Sequence, residues 1–528
     1  MRVLVYFQHK PYPATTGAHI RCQAVLRALR ELRHEVTLFS SNLLTDTSWT
    51  AESVAEVEET FGIRVVIHRG TPDDTLYCAA IRWDDLPRKQ WGDFAPPAMK
   101  AAFVELARDW HPDAVIINYT FFGNLICDPV FSRCLKIMES LDMFSLNGQM
   151  QRAFLHLLPG RPIHADRVCS QLLDQTFLSD LDLSVWPEEY AVCDQFDVTT
   201  AVSRNETEGI AAHTSNTQAV WAPITAESRE LSNTYGGNPV YMAAINALNV
   251  QGYLYFARKV LPLIQSRKAD FMLDAVGACS TIMDEVAGIR NLGYVPSLDA
   301  LYRDAAFAIC PLIGATGQQI KVIEAMAYGV PAVVLRNVAA SSPVIHGVNG
   351  FIADTPEEMA GYCLRLRADQ QLCRSFGNAA RGIVARDWSQ QRLVNTFREI
   401  LSRKPGAASC RRKPPARTRQ ASQTTEIDFS LVVDARARSE ELQACLASVS
   451  NQSGVMQETI VVSTIPVAGY HHATSIAEAL AAANGRWIGL LHASDLLHTN
   501  ALATARRALR NSRCRGWITS RLAMVDAQ

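Results

Sequence analysis

Residues 311–331 read PLIGATGQQIKVIEAMAYGVP, and this stretch decides the expected fold. The chain leaves an apolar strand, crosses a loop that contains Gly314 and Gly317, and enters a helix that Gly329 and Pro331 end. The loop glycines allow a ligand to approach the backbone closely. A helix N-terminus presents unpaired N–H groups and a partial positive charge, which favour phosphate. The stretch therefore predicts a phosphate-binding loop that follows a strand.

Lys321 and Glu324 supply the charges of the predicted helix. The helix dipole stabilises an anion by only about 0.3–1 kcal/mol, whereas a hydrogen bond from a charged lysine contributes roughly 1.5–3 kcal/mol. The two residues are three positions apart and share a helix face, so Glu324 is placed to accept hydrogen bonds from a ribose diol beyond a diphosphate. The alternative is a plain Lys321–Glu324 ion pair on a surface helix, and the spacing leaves both open.

Strands and helices alternate on both sides of this stretch. Apolar strands recur through residues 3–202 and 240–335, and a third series begins at Phe429. This alternation indicates parallel sheets covered on both faces, so the expected fold class is α/β. At about 150 residues per domain, the 528 residues suggest three to four domains. Residues 253–261 predict a helix that Pro262 ends.

Composition and charge exclude several classes of protein. The chain is 48% hydrophobic with a formal net charge of −1, which argues against disorder and against a nucleic-acid partner. The 13 cysteines are scattered singly without a C-x-x-C pair, so we expect a reducing cytoplasm rather than a disulfide framework or zinc site. No apolar run reaches the roughly 18–20 residues of a membrane span. The motifs of nicotinamide-dependent dehydrogenases and P-loop kinases are missing.

Several segments together resemble one enzyme family. They are residues 1–40 (MRVLVYFQHKPYPATTGAHIRCQAVLRALRELRHEVTLFS), 246–264 (NALNVQGYLYFARKVLPLI), 289–312 (IRNLGYVPSLDALYRDAAFAICPL), 346–360 (HGVNGFIADTPEEMA) and 387–401 (DWSQQRLVNTFREIL). With residues 311–331 they are similar, in this order, to glycosyltransferase family 4 and its GT-B relatives. The resemblance implies two Rossmann-like halves, residues 1–220 and 221–402, that face each other across a cleft. It also implies that residues 204–206 serve domain packing.

The same resemblance implies a nucleotide-sugar site, held mainly by the second half. Glu324 would hold the ribose and Lys321 the diphosphate, with residues 314–317 wrapped around the phosphates. The backbone at Tyr294 and Val295 would meet the base. A UDP-sugar is the first expectation for the donor, and we expect no metal or other cofactor.

In the first half, the resemblance implies that Gly17 approaches the donor phosphates. His19 stands where some GT-B enzymes place a base, and the alternative is a hydrogen bond at a helix start. Asp142 lies in a segment that often reads His-Asp, with Leu141 at the His position, and the alternative is a cap at a strand end. Arg21 is a candidate either for a ligand phosphate or for local pairing.

The sequence departs from the family pattern at several positions. Thr316 stands where family 4 often has the first of two Glu, and Gln318 approximates a basic position of a related loop. Residues 243–249 lack the basic pair usual there, so Lys321 would stabilise the leaving group with little help. Asn249 matches a recurrent Asn at the start of the second half.

The C-terminal segment resembles a different family. Three stretches are similar to the nucleotide-binding half of glycosyltransferase family 2, which has the GT-A fold: residues 429–453, 458–463 and 477–509. That family uses acidic metal ligands near strand ends, but here Ser463, His492 and Ser494 occupy such positions and only Asp495 remains. We therefore expect residues 426–528 to form a truncated, non-catalytic GT-A-like unit.

Residues 403–425 predict a basic linker between the two resemblances. Seven Lys or Arg and three Pro, with no acid, lie between Arg403 and Arg419, which favours a flexible tether. The alternative is a weak contact with anionic lipid or an acidic partner. It therefore stays open whether the linker and the C-terminal unit bind a membrane surface peripherally or a glycan-assembly partner.

The function expected from the resemblance is a metal-independent, retaining glycosyltransferase of cell-surface polysaccharide biosynthesis. It would move a sugar from a nucleotide sugar to a glycan, lipid-linked or protein acceptor, in the cytoplasm or at the inner face of the membrane. One alternative is a pseudoenzyme that scaffolds a glycan-assembly complex, motivated by the missing basic pair and by Thr316. A sugar-nucleotide epimerase is the other alternative.

Overall fold

The computed structural model describes most of the chain in two compact units, Met1–Arg411 and Arg412–Gln528. The described residues are 1–43, 49–80, 91–157, 163–165, 168–181, 183–405, 429–436, 442–450, 457–464, 466–467, 470–483 and 487–492. Apart from residues 403–405, the predicted basic linker lies outside them.

The first half of unit 1 is built on a seven-stranded sheet in which all paired strands are parallel. Its strands are β1 (Arg2–Tyr6), β2 (Glu35–Ser41), β3 (Arg64–His68), β4 (Ala114–Asn118), β5 (Leu135–Ser140), β6 (Val198–Ala201) and β7 (Gln218–Trp221). Its helices are α1 (Gly17–Glu31), α2 (Ala51–Phe61), α3 (Pro72–Ala80), α4 (Pro97–Trp110), α5 (Phe144–Phe154), α6 (Pro187–Cys193) and α7 (Arg204–His213). The sheet order is β3-β2-β1-β4-β5-β6-β7. Val3, Leu4 and Val5 are buried, because helices cover both faces of the central strand.

The second half of unit 1 repeats this plan with a six-stranded parallel sheet of order β10-β9-β8-β11-β12-β13. Its strands are β8 (Val240–Met242), β9 (Leu273–Val276), β10 (Ile289–Gly293), β11 (Ala308–Cys310), β12 (Ala332–Leu335) and β13 (Gly350–Ala353). Its helices are α8 (Ala247–Tyr255), α9 (Leu261–Gln265), α10 (Leu298–Asp304), α11 (Ile320–Ala327), α12 (Arg336–Ala339), α13 (Pro356–Ala368), α14 (Gln370–Asp387) and α15 (Gln390–Leu401). The predicted α/β class with parallel sheets is confirmed.

Pro262 does not end the helix that begins at Ala247. The chain passes from α8 through a π-helical turn (Phe256–Val260) into α9, which carries Pro262 in its first turn. Proline is tolerated in a first turn, since its missing N–H would have no helical partner there. The π turn supplies such a new start, and the prediction that Pro262 ends the helix was wrong for this reason.

Unit 2 contains a four-stranded parallel sheet of order β16-β15-β14-β17. Its elements are β14 (Phe429–Asp434), α16 (Leu442–Ser450), β15 (Gln457–Val462), β16 (His471–Ala473), α17 (Ile476–Ala482) and β17 (Trp487–His492). Ser463 follows β15 and His492 ends β17, whereas Ser494 and Asp495 lie outside the described residues. Within the described part of the chain, no helix has both the length and the apolar character needed to cross a bilayer.

Two segments cross between the halves of unit 1. Phe154 and Leu178, which precede β6, are buried in the core of the second half. In the other direction, α15 packs into the core of the first half, where Gln390 Nε2 donates to Ala24 O at 2.9 Å. The predicted boundary at residues 220 and 221 stays a prediction, because core contacts cross it both ways.

A buried ion pair ties α1 to the centre of the first sheet. Arg21 donates from Nε and Nη2 to the two carboxylate oxygens of Glu139 on β5, at 2.8 and 3.0 Å, and from Nη1 to Pro223 O at 2.9 Å. Both side chains are almost fully buried, and Thr200 Oγ1 donates to the same carboxylate at 2.5 Å. Of the two roles that the sequence leaves open for Arg21, the structure therefore assigns pairing within the protein.

Arg21→Met is expected to lower the free energy of unfolding by about 3–5 kcal/mol, because it leaves the Glu139 carboxylate buried without its counter-charge. The measurement is urea denaturation followed by circular dichroism. Arg108→Met is the matched control: Arg108 pairs with Asp128 at 3.3 Å but is 62% exposed, so its loss should cost about 1 kcal/mol or less. Equal stability of the two variants would contradict the assigned role of Arg21.

Candidate active site

Both sheets of unit 1 reverse their strand order at one point. In the first sheet β1 lies between β2 and β4, and in the second β8 lies between β9 and β11. At such a reversal, loops diverge beyond the carboxyl ends of the strands and leave a crevice where ligands bind. The loop after β1 leads to Gly17, and the loop after β11 is residues 311–319, called the glycine loop below. The strand order thus places both predicted phosphate-binding segments at a crevice.

A cavity of about 200 Å³ lies where the two halves meet. Five of the predicted site residues line it: Gly17, Asp142, Thr316, Gly317 and Gln318. Tyr119 and Ile320 also contribute to its wall. The cavity therefore brings the start of α1, the end of β5 and the glycine loop together, as a site between two halves requires.

The glycine loop presents a backbone N–H group to an anionic oxygen of the opposite half. Gly317 has a φ of +61°, in the left-handed region that favours glycine. Its N–H donates to Glu206 Oε1 at 3.0 Å. The same oxygen accepts from Met143 N at 3.1 Å, and Ser203 Oγ donates to Glu206 Oε2 at 2.9 Å. A carboxylate from α7 therefore occupies an anion position at the loop.

Thr316 and Asp142 form a second contact across the cavity. Asn147 Nδ2 donates to Asp142 Oδ2 and to Thr316 Oγ1, both at 2.7 Å, and Thr316 Oγ1 donates to Asp142 Oδ2 at 3.3 Å. The other carboxylate oxygen of Asp142 is buried without a hydrogen-bond partner among the described residues. Asp142 does not cap a helix, because Met143 holds the N-cap position of α5.

The two acids beside the glycine loop hold protons more tightly than ordinary carboxyl groups. Burial raises the pKa of Asp142 well above its usual value, and the neighbouring Glu206 charge raises it further. Burial also raises the pKa of Glu206, although the hydrogen bonds from Ser203, Met143 and Gly317 oppose this shift. Such interacting groups titrate as a pair, and burial shifts the pair towards its protonated form.

Close contacts surround Gly17 and the glycine loop. A Cβ atom on Gly314 would lie 2.2 Å from Leu178 Cδ1, and one on Gly17 would lie 2.0 Å from Ile320 Cδ1. Ile224 N donates to Gln318 Oε1 at 2.6 Å. The missing side chain of Gly17 thus allows the start of α1 to approach Ile320 of the second half closely, and this approach keeps the cavity small.

Lys321 and Glu324 each have a partner of their own in the second half. Lys321 Nζ donates to Asn249 Oδ1 at 2.5 Å and lies 5.4 Å from the Tyr241 ring centre, while Tyr302 donates to Glu324 Oε2 at 3.5 Å. Burial lowers the pKa of Lys321 and raises that of Glu324. The surface ion pair that the spacing left open is therefore not formed. Neither residue lines the cavity described above.

The remaining predicted residues lie apart from the cavity. Tyr294 follows β10 and is 80% exposed, and Val295 is partly buried next to it. His19 makes the helix-start contact: its N–H donates to Thr16 Oγ1 at 3.3 Å, and its Nδ1 accepts from Thr15 N at 3.2 Å. Burial lowers the pKa of His19, which favours the neutral ring.

Sequence reasoning missed the contacts that four side chains make at the site. Asn147 and Tyr302 carry no motif of their own. Ser203 and Glu206 read as a capping box at the start of α7, and that signal marks a helix start but not a partner. The contact of Glu206 with Gly317 spans 111 positions in the sequence, so only the folded chain could reveal it.

Residues 238–369, which include the glycine loop and α11, match the family model described as Glycosyl transferases group 1. No curated protein sequence matches the chain. Sucrose-phosphate synthase from Thermosynechococcus elongatus is similar in structure, with a TM-score of 0.51, 13% identity, and coverage of 76% of this chain and 98% of that chain.

TarM is also similar, with a TM-score of 0.51, 8% identity, and coverage of 76% of this chain and 99% of that chain. A mutant of TarM from S. aureus, solved with Fondaparinux, alpha-GlcNAc-glycerol and UDP, gives a TM-score of 0.50 at 8% identity, covering 76% of this chain and 100% of that chain. At these identities the structures establish the fold alone, which is GT-B. Residues 238–369 carry a glycosyltransferase domain, and the protein is a glycosyltransferase enzyme with this fold.

The acid pair predicts how stability depends on pH. Unfolded carboxyl groups lose their protons near pH 4, whereas the native pair of Asp142 and Glu206 keeps a proton to higher pH. The native state binds more protons in this window, so the free energy of unfolding should fall as pH rises from about 4 through the raised pKa of the pair. The measurement is the thermal unfolding midpoint as a function of pH, which should fall over the same pH range.

Asp142→Asn keeps the side-chain shape and removes one charge, so its midpoint should fall less steeply with pH than that of the wild type. Asp128→Asn, which changes a carboxylate on the surface of the first half, is the control. Parallel profiles for the wild type and Asp142→Asn would refute the role of the pair.

Proposed function

We propose that the chain transfers a sugar, with retention and without a metal, from a nucleotide-sugar donor to a hydroxyl group of a glycan, lipid-linked or protein acceptor. The observation that carries the proposal is the hydrogen bond from Gly317 N–H to the Glu206 carboxylate across the cavity. A backbone amide that binds one anionic oxygen in the crevice is suited to bind another, and the donor diphosphate would take that position.

UDP is the first choice for the nucleotide. The S. aureus TarM mutant, which shares the fold, was solved with UDP. In this chain the ribose would be held by Glu324, whose carboxylate Tyr302 orients, and the base would meet the backbone near Tyr294. We place this reaction in the cytoplasm, in the synthesis of a surface glycan.

Donor binding requires the halves to separate. The cavity of about 200 Å³ is smaller than the roughly 300–1,000 Å³ typical of ligand pockets. Opening would break the hydrogen bonds across the cavity, which join Gly317 to Glu206 and Thr316 to Asn147 and Asp142. The closed state is then the donor-free form, and rigid-body opening is the expected movement.

Lys321 is the charge proposed to stabilise the leaving diphosphate. Residues 243–249 contain no Lys or Arg, so this ammonium group would act without a second cation from that segment. Its bond to Asn249 holds it in a partly buried position, where electrostatic interactions are stronger than in water. On the acceptor side, Asp142 lines the cavity and is placed to contact the incoming hydroxyl, whereas His19 faces Thr15.

A second candidate function is a pseudoenzyme that scaffolds a glycan-assembly complex. The carboxyl groups of Glu206 and Asp142 at the glycine loop favour it, because any negative charge that the pair carries repels a diphosphate. Unit 2, which we propose to be a truncated GT-A-like unit without catalytic activity, would then recruit a partner or a membrane surface together with the basic linker. One donor that releases its sugar in turnover would eliminate this candidate.

Lys321→Met and Glu324→Ala are each expected to weaken UDP binding at least tenfold, as measured by isothermal titration calorimetry. The reason is the loss of a charge-assisted hydrogen bond worth roughly 1.5–3 kcal/mol, since about 1.4 kcal/mol corresponds to a factor of ten. Lys268→Ala, an exposed lysine of the same half paired with Asp270, is the control. If both site variants bind UDP like the wild type, the donor site lies elsewhere.

Glu206→Ala is expected to bind UDP several-fold more tightly than the wild type. It removes the carboxylate that competes with the diphosphate for Gly317 N–H and releases one bond that keeps the halves closed. Glu208→Ala, an exposed acid on the same helix, is the matched control. Weaker binding by Glu206→Ala than by this control would show that Glu206 supports the site instead of competing for it.

A further inference from the structure

A second pocket lies at the amino ends of the strands of the first sheet, opposite the candidate active site. β2 begins at Glu35 and β3 begins at Arg64, so both strands enter the sheet at this edge and leave it towards the candidate active site. The pocket has a volume of about 500 Å³. Because it lies at the amino ends of the strands, its occupant would not compete for the glycine loop.

Basic groups from separate segments line this pocket. Arg30 and Arg33 come from the end of α1, His34 from the following turn, and Arg64 from the start of β3. Within the described part of the chain, none of the three guanidinium groups has an ion pair or a side-chain hydrogen bond.

Glu35 is the acid in the wall of the pocket, and the Asp113 charge also acts on His34. The only carboxylate that lines the pocket among the described residues is that of Glu35, and its Oε1 accepts from Trp110 Nε1 at 3.4 Å. The negative end of the α1 dipole favours cations such as Arg30 and Arg33. It does not explain why Arg64, on another element, also lines the pocket. All three arginines are exposed, so their guanidinium groups are accessible to an anion from solvent.

Two backbone positions beside the pocket, Arg33 and Gly62, have positive φ angles and accommodate the arginine side chains. Arg33 has a φ of +59°, a left-handed conformation that favours glycine at the end of a helix. The chain nevertheless carries an arginine there, which places its guanidinium at the pocket. Gly62 also has a positive φ, and a Cβ atom on it would lie 2.4 Å from Arg30 Nη2, so the missing side chain leaves room for this group.

We propose that this pocket binds a phosphoryl anion, either the phosphate or pyrophosphate group of a small soluble compound or the phosphate of a lipid headgroup. Guanidinium groups recognise phosphate oxygens with two parallel N–H donors each. Three of them around one pocket match a multiply charged phosphoryl group better than a single carboxylate. The proposal does not depend on the donor site, which occupies the other edge of the sheet.

The test is titration of the full chain with inorganic pyrophosphate at low salt by isothermal titration calorimetry. Arg33→Gly removes a guanidinium from a position whose backbone favours glycine, so this variant should fold at least as well as the wild type. We expect it to bind pyrophosphate at this pocket at least tenfold more weakly, and Arg64→Ala to behave likewise. Arg108→Ala, an exposed arginine elsewhere in the first half, is the control and should match the wild type.

The Lys321→Met variant distinguishes this pocket from the donor site. We expect this variant to lose UDP affinity and to bind pyrophosphate at the Arg33 pocket as the wild type does. Cosedimentation distinguishes a lipid phosphate from a soluble one. It compares binding to vesicles that contain phosphatidylglycerol with binding to vesicles of phosphatidylcholine alone. Weaker binding of Arg33→Gly to the anionic vesicles supports a lipid headgroup, and an effect on pyrophosphate alone supports a soluble ligand. If Arg33→Gly and Arg64→Ala match the wild type in both assays, or if the wild type binds neither probe, the proposal is overturned.

Discussion

The hydrogen bond between Gly317 N–H and the Glu206 carboxylate is the contact around which the cavity is organised. It joins the loop that follows β11 to the helix that follows β6, and both elements owe their positions to the order of strands in separate sheets. The contact satisfies a backbone donor that would otherwise be buried without a partner, which would cost free energy. The same donor is the feature that makes the loop suitable for a phosphate oxygen.

Electrostatics explains how a closed cleft tolerates this arrangement. Two ionised carboxylates beside the glycine loop would repel each other, and burial would increase the penalty. Retention of a proton by Asp142 and Glu206 relieves both effects. On the other side of the loop, Lys321 is held by an amide oxygen rather than by a counter-charge, so its positive charge remains available to an anionic ligand when the halves part.

The two pockets of the first half use opposite edges of one parallel sheet. The carboxyl ends of the strands meet the second half and form the candidate active site, whereas the amino ends of β2 and β3 meet solvent and carry the arginine-lined pocket. In a parallel sheet all strands run the same way, so the chemistry of one edge is separated from that of the other by the full length of the strands. The wall of each pocket can therefore change without disturbing the other.

The alternation of strands and helices, and with it the parallel sheets, could be predicted from the amino-acid sequence, because continuous apolar runs and helix stop signals are local properties. The sequence also marked the glycine loop and the helix that carries Lys321 and Glu324. It misjudged Pro262, since the π turn that accommodates this proline depends on packing. The pairing of Arg21 with Glu139 and the contact of Glu206 with Gly317 could be found only in the folded chain. Each joins residues more than a hundred positions apart, and no local pattern records such contacts.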